Sequence, residues 1–240
     1  MAPERVVRRH HVFAIAASIL LLLVSPAIVN LWRLGTADFR SPVGEVTRLQ
    51  LDDGSIVWLD SGAVLNRHFS EHRRDIDLLK GRAFFEVAHN AERPFVVSAG
   101  DGTATAVGTR FSVSRERSGT TVSVEEGRVR VSNGGNERLL AAGSSSGWNE
   151  SGALLSEAVA GTDVDSWRWG RIVIQGTPLE AAVAQLDRYY PGIIFVRDRG
   201  DVRVSGRFDI HRVEGGLNAL AESQGLKVSH WGPWVTVLSR

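Results

Sequence analysis

Residues 110–131 read RFSVSRERSGTTVSVEEGRVRV. In Arg110–Ser114, Thr121–Val124 and Val129–Val131 an apolar side chain returns at every second position. That is the period of a strand with one face buried, and a helix would need spacings of three and four. Glu126-Gly127 separates the last two segments as a tight turn. The stretch therefore predicts short strands joined by turns.

The same reading extends upstream. Val46–Leu51 has apolar residues at 46, 49 and 51, Asp53-Gly54 is a hairpin-type turn, and Ser55–Leu59 follows as a strand. Ile76–Leu79, Ala83–Ala88 and Phe95–Val97 are further strand segments. No helical stripe interrupts Pro42 to Gly147. The composition agrees, with 25 Gly against 7 Pro, which suits many tight turns. An all-β domain is expected over 42–150, either β-helix-like with stacked turns or sandwich-like.

Downstream, Asn133–Ser151 is rich in Gly, Ser and Asn and predicts one strand, near Arg138–Ala142. A linker is expected over 151–167, centred on Ala158–Asp165. The pattern then changes. Thr177-Pro178-Leu179-Glu180 reads as a helix start, with Thr177 as N-cap, Pro178 at the first helical position and Glu180 closing a capping box. Leu179, Val183, Leu186 and Tyr190 fall on one helical face, and Pro191-Gly192 ends the helix. Ile193–Val196 and Val202–Phe208 read as strands. Val213, Leu217, Leu220 and Ala221 mark a second amphipathic helix stopped by Gly225, and strands Val228–Trp231 and Trp234–Leu238 follow. With Ile172–Ile174 in front, the order is βαββαβ with a closing strand, a small α+β domain over 168–240.

At the other end, Val12–Trp32 is a run without charge. As a helix it spans roughly 31 Å at about 1.5 Å per residue, the thickness of a bilayer core. Arg5, Arg8 and Arg9 precede it, which predicts a cytoplasmic tail over 1–11, one transmembrane helix over 12–32 and export of the rest. A buried core helix would carry a polar face, and this run has none. A cleaved signal peptide is the stronger rival, because Ser25-Pro26-Ala27 fits a small-x-small site. The apolar run continues past Ala27 to Trp32, which favours an anchor. Arg8-Arg9 also fits a twin-arginine signal, and all three readings export the large domain.

Other chemistry is limited. The 28 basic and 27 acidic residues nearly cancel and give no nucleic-acid surface, and the absence of cysteine excludes disulfides and thiol catalysis. His68-Phe69-Ser70-Glu71-His72 fits H-x-x-E-H. Zinc chemistry needs both His on one face of a helix, and this stretch lies between predicted strands beside Arg73 and Arg74, so an exposed turn is expected. Gly143–Gly147 fits G-x-S-x-G, but no helix follows it, so a Gly/Ser loop is expected. Asp52 and Asp53, adjacent on an extended chain, point apart. No catalytic, cofactor-binding or metal-binding residues are assigned, and no cofactor. Trp167 and Trp169 share a face in a strand and not in a helix. They read either as packing of the linker or as an aromatic anchor for a partner.

Several ordered motifs resemble those of FecR-type sigma regulators. Leu51–Ser55 with Val57-Trp58-Leu59 and Ser61-Gly62 is similar to LxDGSxVxLNxxS. Leu79–Ala88 resembles LxGEAFFEV. Arg93–Val97 resembles RPFxV, Val107–Val113 resembles LGTxFxV, and Glu125–Val129 resembles xEGxVxV. Trp167–Gly170, Thr177–Leu179, Arg188–Pro191 and Val204–Phe208 resemble the family's terminal domain. Read physically, the Gly residues of these motifs serve tight turns, and Phe84, Phe85, Phe95 and Phe111 serve the core. The resemblance implies a single-pass inner-membrane protein with a periplasmic all-β domain. Its C-terminal domain would be similar to the signalling domains of secretins and TonB-dependent receptors. Such proteins relay the state of a TonB-dependent outer-membrane receptor to an extracytoplasmic-function (ECF) sigma factor and catalyse nothing. Their cytoplasmic anti-sigma domain has no counterpart in residues 1–11, so the sigma factor is expected to be reached indirectly, through a cytoplasmic domain upstream or on another chain. The candidate partner-binding residues are Trp167, Trp169, Leu179 and Tyr190. The alternative is a periplasmic structural or carbohydrate-associated β-module that does not signal.

Overall fold

The computed structural model describes residues 34–149, 151–154, 158–159, 165–197, 202–232 and 234–239. The expected tail over 1–11, the expected membrane helix over 12–32 and residues 155–157 and 160–164 of the expected linker lie outside the described residues. Among the described residues no helix is long and apolar enough to cross a membrane. Residues 38–240 form one compact unit.

In chain order the strands of the all-β part are β1 (Phe39–Arg40), β2 (Thr47–Gln50), β3 (Ile56–Leu59), β4 (Val64–Phe69), β5 (Arg74–Glu86), β6 (Phe95–Ala99) and β7 (Gly102–Ala106). Then come β8 (Arg110–Glu116), β9 (Gly119–Glu126), β10 (Arg128–Asn133), β11 (Asn136–Ala141), β12 (Ser144–Asn149) and β13 (Ala158–Val159). The long strand β5 organises them. Its first half pairs with β4 and with β6, and its second half pairs with β3 and β8. The ladder β11-β10-β7-β6 thus leaves one half of β5, and β8-β9-β12-β13 leaves the other. Between the halves sits Gly81, with φ +85°; a Cβ there would lie 2.8 Å from the Ala63 Cα. Only glycine fits this bend.

The bend folds the ladders over a shared core. Leu65, Ile76, Leu78, Phe95 and Val97 from one side meet Val57, Ala83, Phe85, Phe111 and Val122 from the other in a single buried cluster. Phe85 stacks on Phe111 with ring centroids 5.2 Å apart and lies 5.7 Å from Phe95. Within this part β5–β6 is the one parallel pairing among named strands, and the other ladders are antiparallel. A β-helix needs successive parallel coils, so the stacked-turn expectation fails and the sandwich-like one describes the sheets. The expected Gly/Ser loop after Gly143 is a tight turn feeding β12, whose Trp148 reaches the core and donates its indole N–H to the Ala99 carbonyl at 3.0 Å.

The C-terminal part runs β14 (Arg171–Pro178), α1 (Leu179–Asp187), β15 (Ile193–Val196), β16 (Arg203–Asp209), α2 (Val213–Ser223), β17 (Lys227–Trp231) and β18 (Val235–Ser239). β14 pairs with β16, and β15-β18-β17 form a second sheet in which β15 and β18 are parallel. α1 packs against β14 and β15, and α2 against β16 and β17, so each helix touches both sheets. The α1 boundary departs from expectation. Thr177 lies in β14, Pro178 is the N-cap and no side chain caps the helix. β14 runs into the helix without a loop, which leaves Thr177 extended. α1 ends at Asp187 with Arg188 as C-cap, so Tyr190 falls beyond the helix.

Candidate functional site

The two parts meet on the outer face of the sheet that β3, β5, β8 and β9 share. Phe84 and Phe85 are neighbours on β5 and point to opposite faces, as strand geometry requires. Phe85 enters the sandwich core, while Phe84, fully buried, joins the core of the C-terminal part with Trp167, Ile172, Leu186 and Tyr189.

A short 3-10 turn, Ser166–Trp169, makes the first contact. Its helical geometry sends the two indoles apart. Trp167 is 1 % exposed, with its N–H donated to the Asp165 carboxylate at 3.1 Å. Trp169 is 60 % exposed and packs at a tilt against Trp58 of β3, centroids 5.7 Å apart. Between them Arg168 lies 3.5 Å over the Phe84 ring and donates to Glu125 at 2.6 Å.

A buried polar cluster makes the second contact. Asp60, just after β3, is fully buried. Tyr189 donates its hydroxyl proton to Asp60 Oδ1 at 2.5 Å, and Arg82 Nε donates to Oδ2 at 2.9 Å. The Arg82 guanidinium lies 4.8 Å over the Trp167 ring. Ser61 donates to the Arg188 carbonyl at 2.6 Å and accepts from the Gly44 amide at 2.8 Å. Arg188 also pairs with Glu116 of β8. Burial and the Asp60 charge push the Tyr189 phenol far above its ordinary range, so it stays a donor. Burial alone would raise the Glu116 carboxyl, but the Arg188 charge and hydrogen bond outweigh that and hold it below its ordinary value. Asp165 is pushed up by burial, which its bonds only partly offset. A cavity of about 610 Å³ opens beside this cluster, lined in part by Arg82, Trp167, Arg171 and Arg188.

Of the four candidate partner residues, the fold brings Trp167 and Leu179 into the buried core, where packing employs them. Tyr190 is half-buried and shares a hydrogen bond with Thr236 at 2.9 Å. Trp169 alone of the four is exposed. Sequence reasoning missed Asp60, Arg82 and Tyr189 as a unit. Arg82 and Tyr189 sit within motif stretches and Asp60 falls between two of them, but nothing along the chain pairs a strand end with a helix end more than a hundred residues away. His68–His72 falls at the end of β4 and in the turn after it, so its His residues lack the helical spacing that zinc chemistry requires. Asp52 pairs with Arg67 at the surface, and Asp53 turns inward to Arg74 at 2.7 Å.

The family described as FecR protein matches residues 37–130, the span from just before β1 to β10. Residues 37–130 are a FecR domain. The domain holds both halves of β5, Asp60, Arg82 and Phe84, and so supplies one whole side of the junction. Two crystal structures of a candidate anti-sigma factor from Parabacteroides distasonis ATCC 8503 share the fold, each with a TM-score of 0.72. They are 26% and 25% identical to this chain, cover 84% of it, and are themselves covered to 98% and 97%. No curated protein matches the chain. The similarity extends past the FecR domain, because 84% coverage exceeds what residues 37–130 alone would give.

Proposed function

We propose that this chain regulates a sigma factor, as an inner-membrane protein whose FecR domain and C-terminal part face the periplasm. The supporting observation is the shared fold with the candidate anti-sigma factor over most of both chains. In this reading the C-terminal part receives the signalling domain of a TonB-dependent receptor, and the junction passes its state to the FecR domain. Val12–Trp32 carries the signal across the membrane to an ECF sigma factor held by a cytoplasmic domain. The chain binds proteins and performs no catalysis. The junction suits a relay because it joins the polar contacts Tyr189–Asp60 and Arg168–Glu125 to the apolar packing of Phe84. Separating the two parts breaks the Tyr189–Asp60 and Arg168–Glu125 bonds together with the Phe84 packing, so the docked arrangement tends to be kept or lost as a unit.

The test is a promoter read by the cognate sigma factor, measured in cells with and without this chain. Its deletion is expected to change promoter output and to abolish the response to the receptor's ligand. Unchanged output from every such promoter overturns the reading. A periplasm-specific reporter enzyme fused after Ser41 checks the topology and is expected to be active.

A further inference from the structure

The sheet β15-β18-β17 turns one face to α1 and α2 and the other to solvent. Alternation and register fix the outer face. Ile194, Val196 and Val228 pack inward against the core. Outward stand Ile193 at 54 % exposed and Phe195 at 50 %. The register aligns these in rows: Ile193, Val235 and Trp231, then Phe195, the buried Val237 and Ser229, with Ser239 and Lys227 paired beyond them, and Arg197, just past β15, donates its amide to the Leu238 carbonyl at 2.9 Å. Trp234, on the turn between β17 and β18, is as exposed as Trp231, at 64 %. Exposed apolar surface gathered like this marks a place of contact.

Three features of this face select its occupant. Both tryptophans stand at a hairpin tip, and tryptophan is a side chain enriched at membrane–water boundaries. Lys227 on β17 and Arg197 just past β15 are both cationic, and the Arg197 guanidinium lies over the Trp231 ring at 5.9 Å. Two contacts in succession link the tip to the early part of the domain. Ile193 donates to the Trp234 carbonyl at 2.8 Å, and a few residues back along the chain a Cβ on Gly44 would lie 3.4 Å from the Tyr189 carbonyl. The uncharged run ends at Trp32 and β1 begins at Phe39, a tether of at most about 25 Å at about 3.5 Å per residue.

We propose that the outer face of β15-β18-β17 rests on an anionic lipid surface, with Trp231 and Trp234 at the headgroup boundary and Arg197 and Lys227 against lipid phosphates. Apolar area and cationic charge add in such binding, and neither suffices alone. The contact rests on the membrane-anchored reading above. It would hold the C-terminal part down until a partner lifts it off.

The experiment uses residues 38–240, the compact unit that encloses both cores. It needs neither sigma factor nor receptor, so its failure is distinct from failure of the regulatory reading. Sedimentation with vesicles is compared for phosphatidylglycerol mixed into phosphatidylcholine and for phosphatidylcholine alone. Binding is expected to the anionic vesicles, weakening as salt rises. Trp231→Ser with Trp234→Ser is expected to weaken it at least tenfold, and Lys227→Gln about fivefold. All three positions are exposed, and circular dichroism verifies that the fold persists. Absence of binding to anionic vesicles overturns the proposal, as does binding that the tryptophan pair leaves unchanged. Self-association, or capture of a receptor signalling domain, that the tryptophan pair abolishes while vesicles fail to bind would assign the face to a protein instead.

Discussion

Asp60 shows at the scale of one residue how the junction is held. A fully buried carboxylate is tolerable only when its oxygens are answered, and here Tyr189 and Arg82 answer one each. Tyr189→Phe keeps the ring and removes one donor. It is expected to lower stability by about 1–3 kcal/mol, read from the denaturant midpoint; a change below measurement error would show that water replaces the hydroxyl. Phe84 and Phe85 offer a sharper comparison, since both are fully buried but in different cores. Phe85→Ala is expected to cost the sandwich about 3–5 kcal/mol. Phe84→Ala is expected to leave the sandwich folded and speed proteolysis within 151–167, because it loosens the docked face. Equal protease sensitivity of the two variants would contradict this division of labour.

Single elements show where local sequence signals compete with the surrounding chain. β5 is continuous in sequence yet serves two ladders, and Gly81 is the hinge between them. Gly81→Ala introduces a side chain at positive φ and presses on the Ala63 backbone. The expected loss is at least about 2 kcal/mol, with the aromatic near-ultraviolet dichroism of the Phe85 and Phe111 cluster reduced. A variant as stable as the parent would mean that the strand bends elsewhere. The Ser166–Trp169 turn illustrates the opposite case. A strand there would have placed both tryptophans on one side, and the 3-10 turn buries one and exposes the other. The helix start at Thr177-Pro178 has the composition of a capping box, yet pairing of Thr177 with Val204 keeps it extended.

For the whole molecule, acid should act on the junction through Glu116. Its folded pKa lies below the ordinary value of 4.5, so its stabilising contribution is complete above about pH 4.5 and is lost as pH falls through the folded value. Asp165 acts in reverse, because burial raises its pKa and acid relieves that penalty. Glu116→Gln is therefore expected to be less stable than the parent at pH 7 and to converge with it well below pH 4. Thermal midpoints across that range check the sign, and a difference that persists unchanged in acid would rule out the Arg188–Glu116 pair as its source.

Local sequence specifies the kinds of element and most of their order. Period-two alternation, glycine turns and two amphipathic stripes depend only on neighbours within a few residues, and residues 110–131 display them without tertiary help. The FecR motifs were equally legible, because the turns and core positions they mark are local. Tertiary structure makes the choice between sandwich and stacked turns, because that choice depends on which strands pair, and strand pairing is set by long-range register and the bend at Gly81. It alone decided that Phe84 faces a second core, that Trp167 and Trp169 part company, and that Asp60 meets Tyr189. In each case the partner is brought by the chain's return from far away, and a side chain's neighbours across that distance leave no periodic trace.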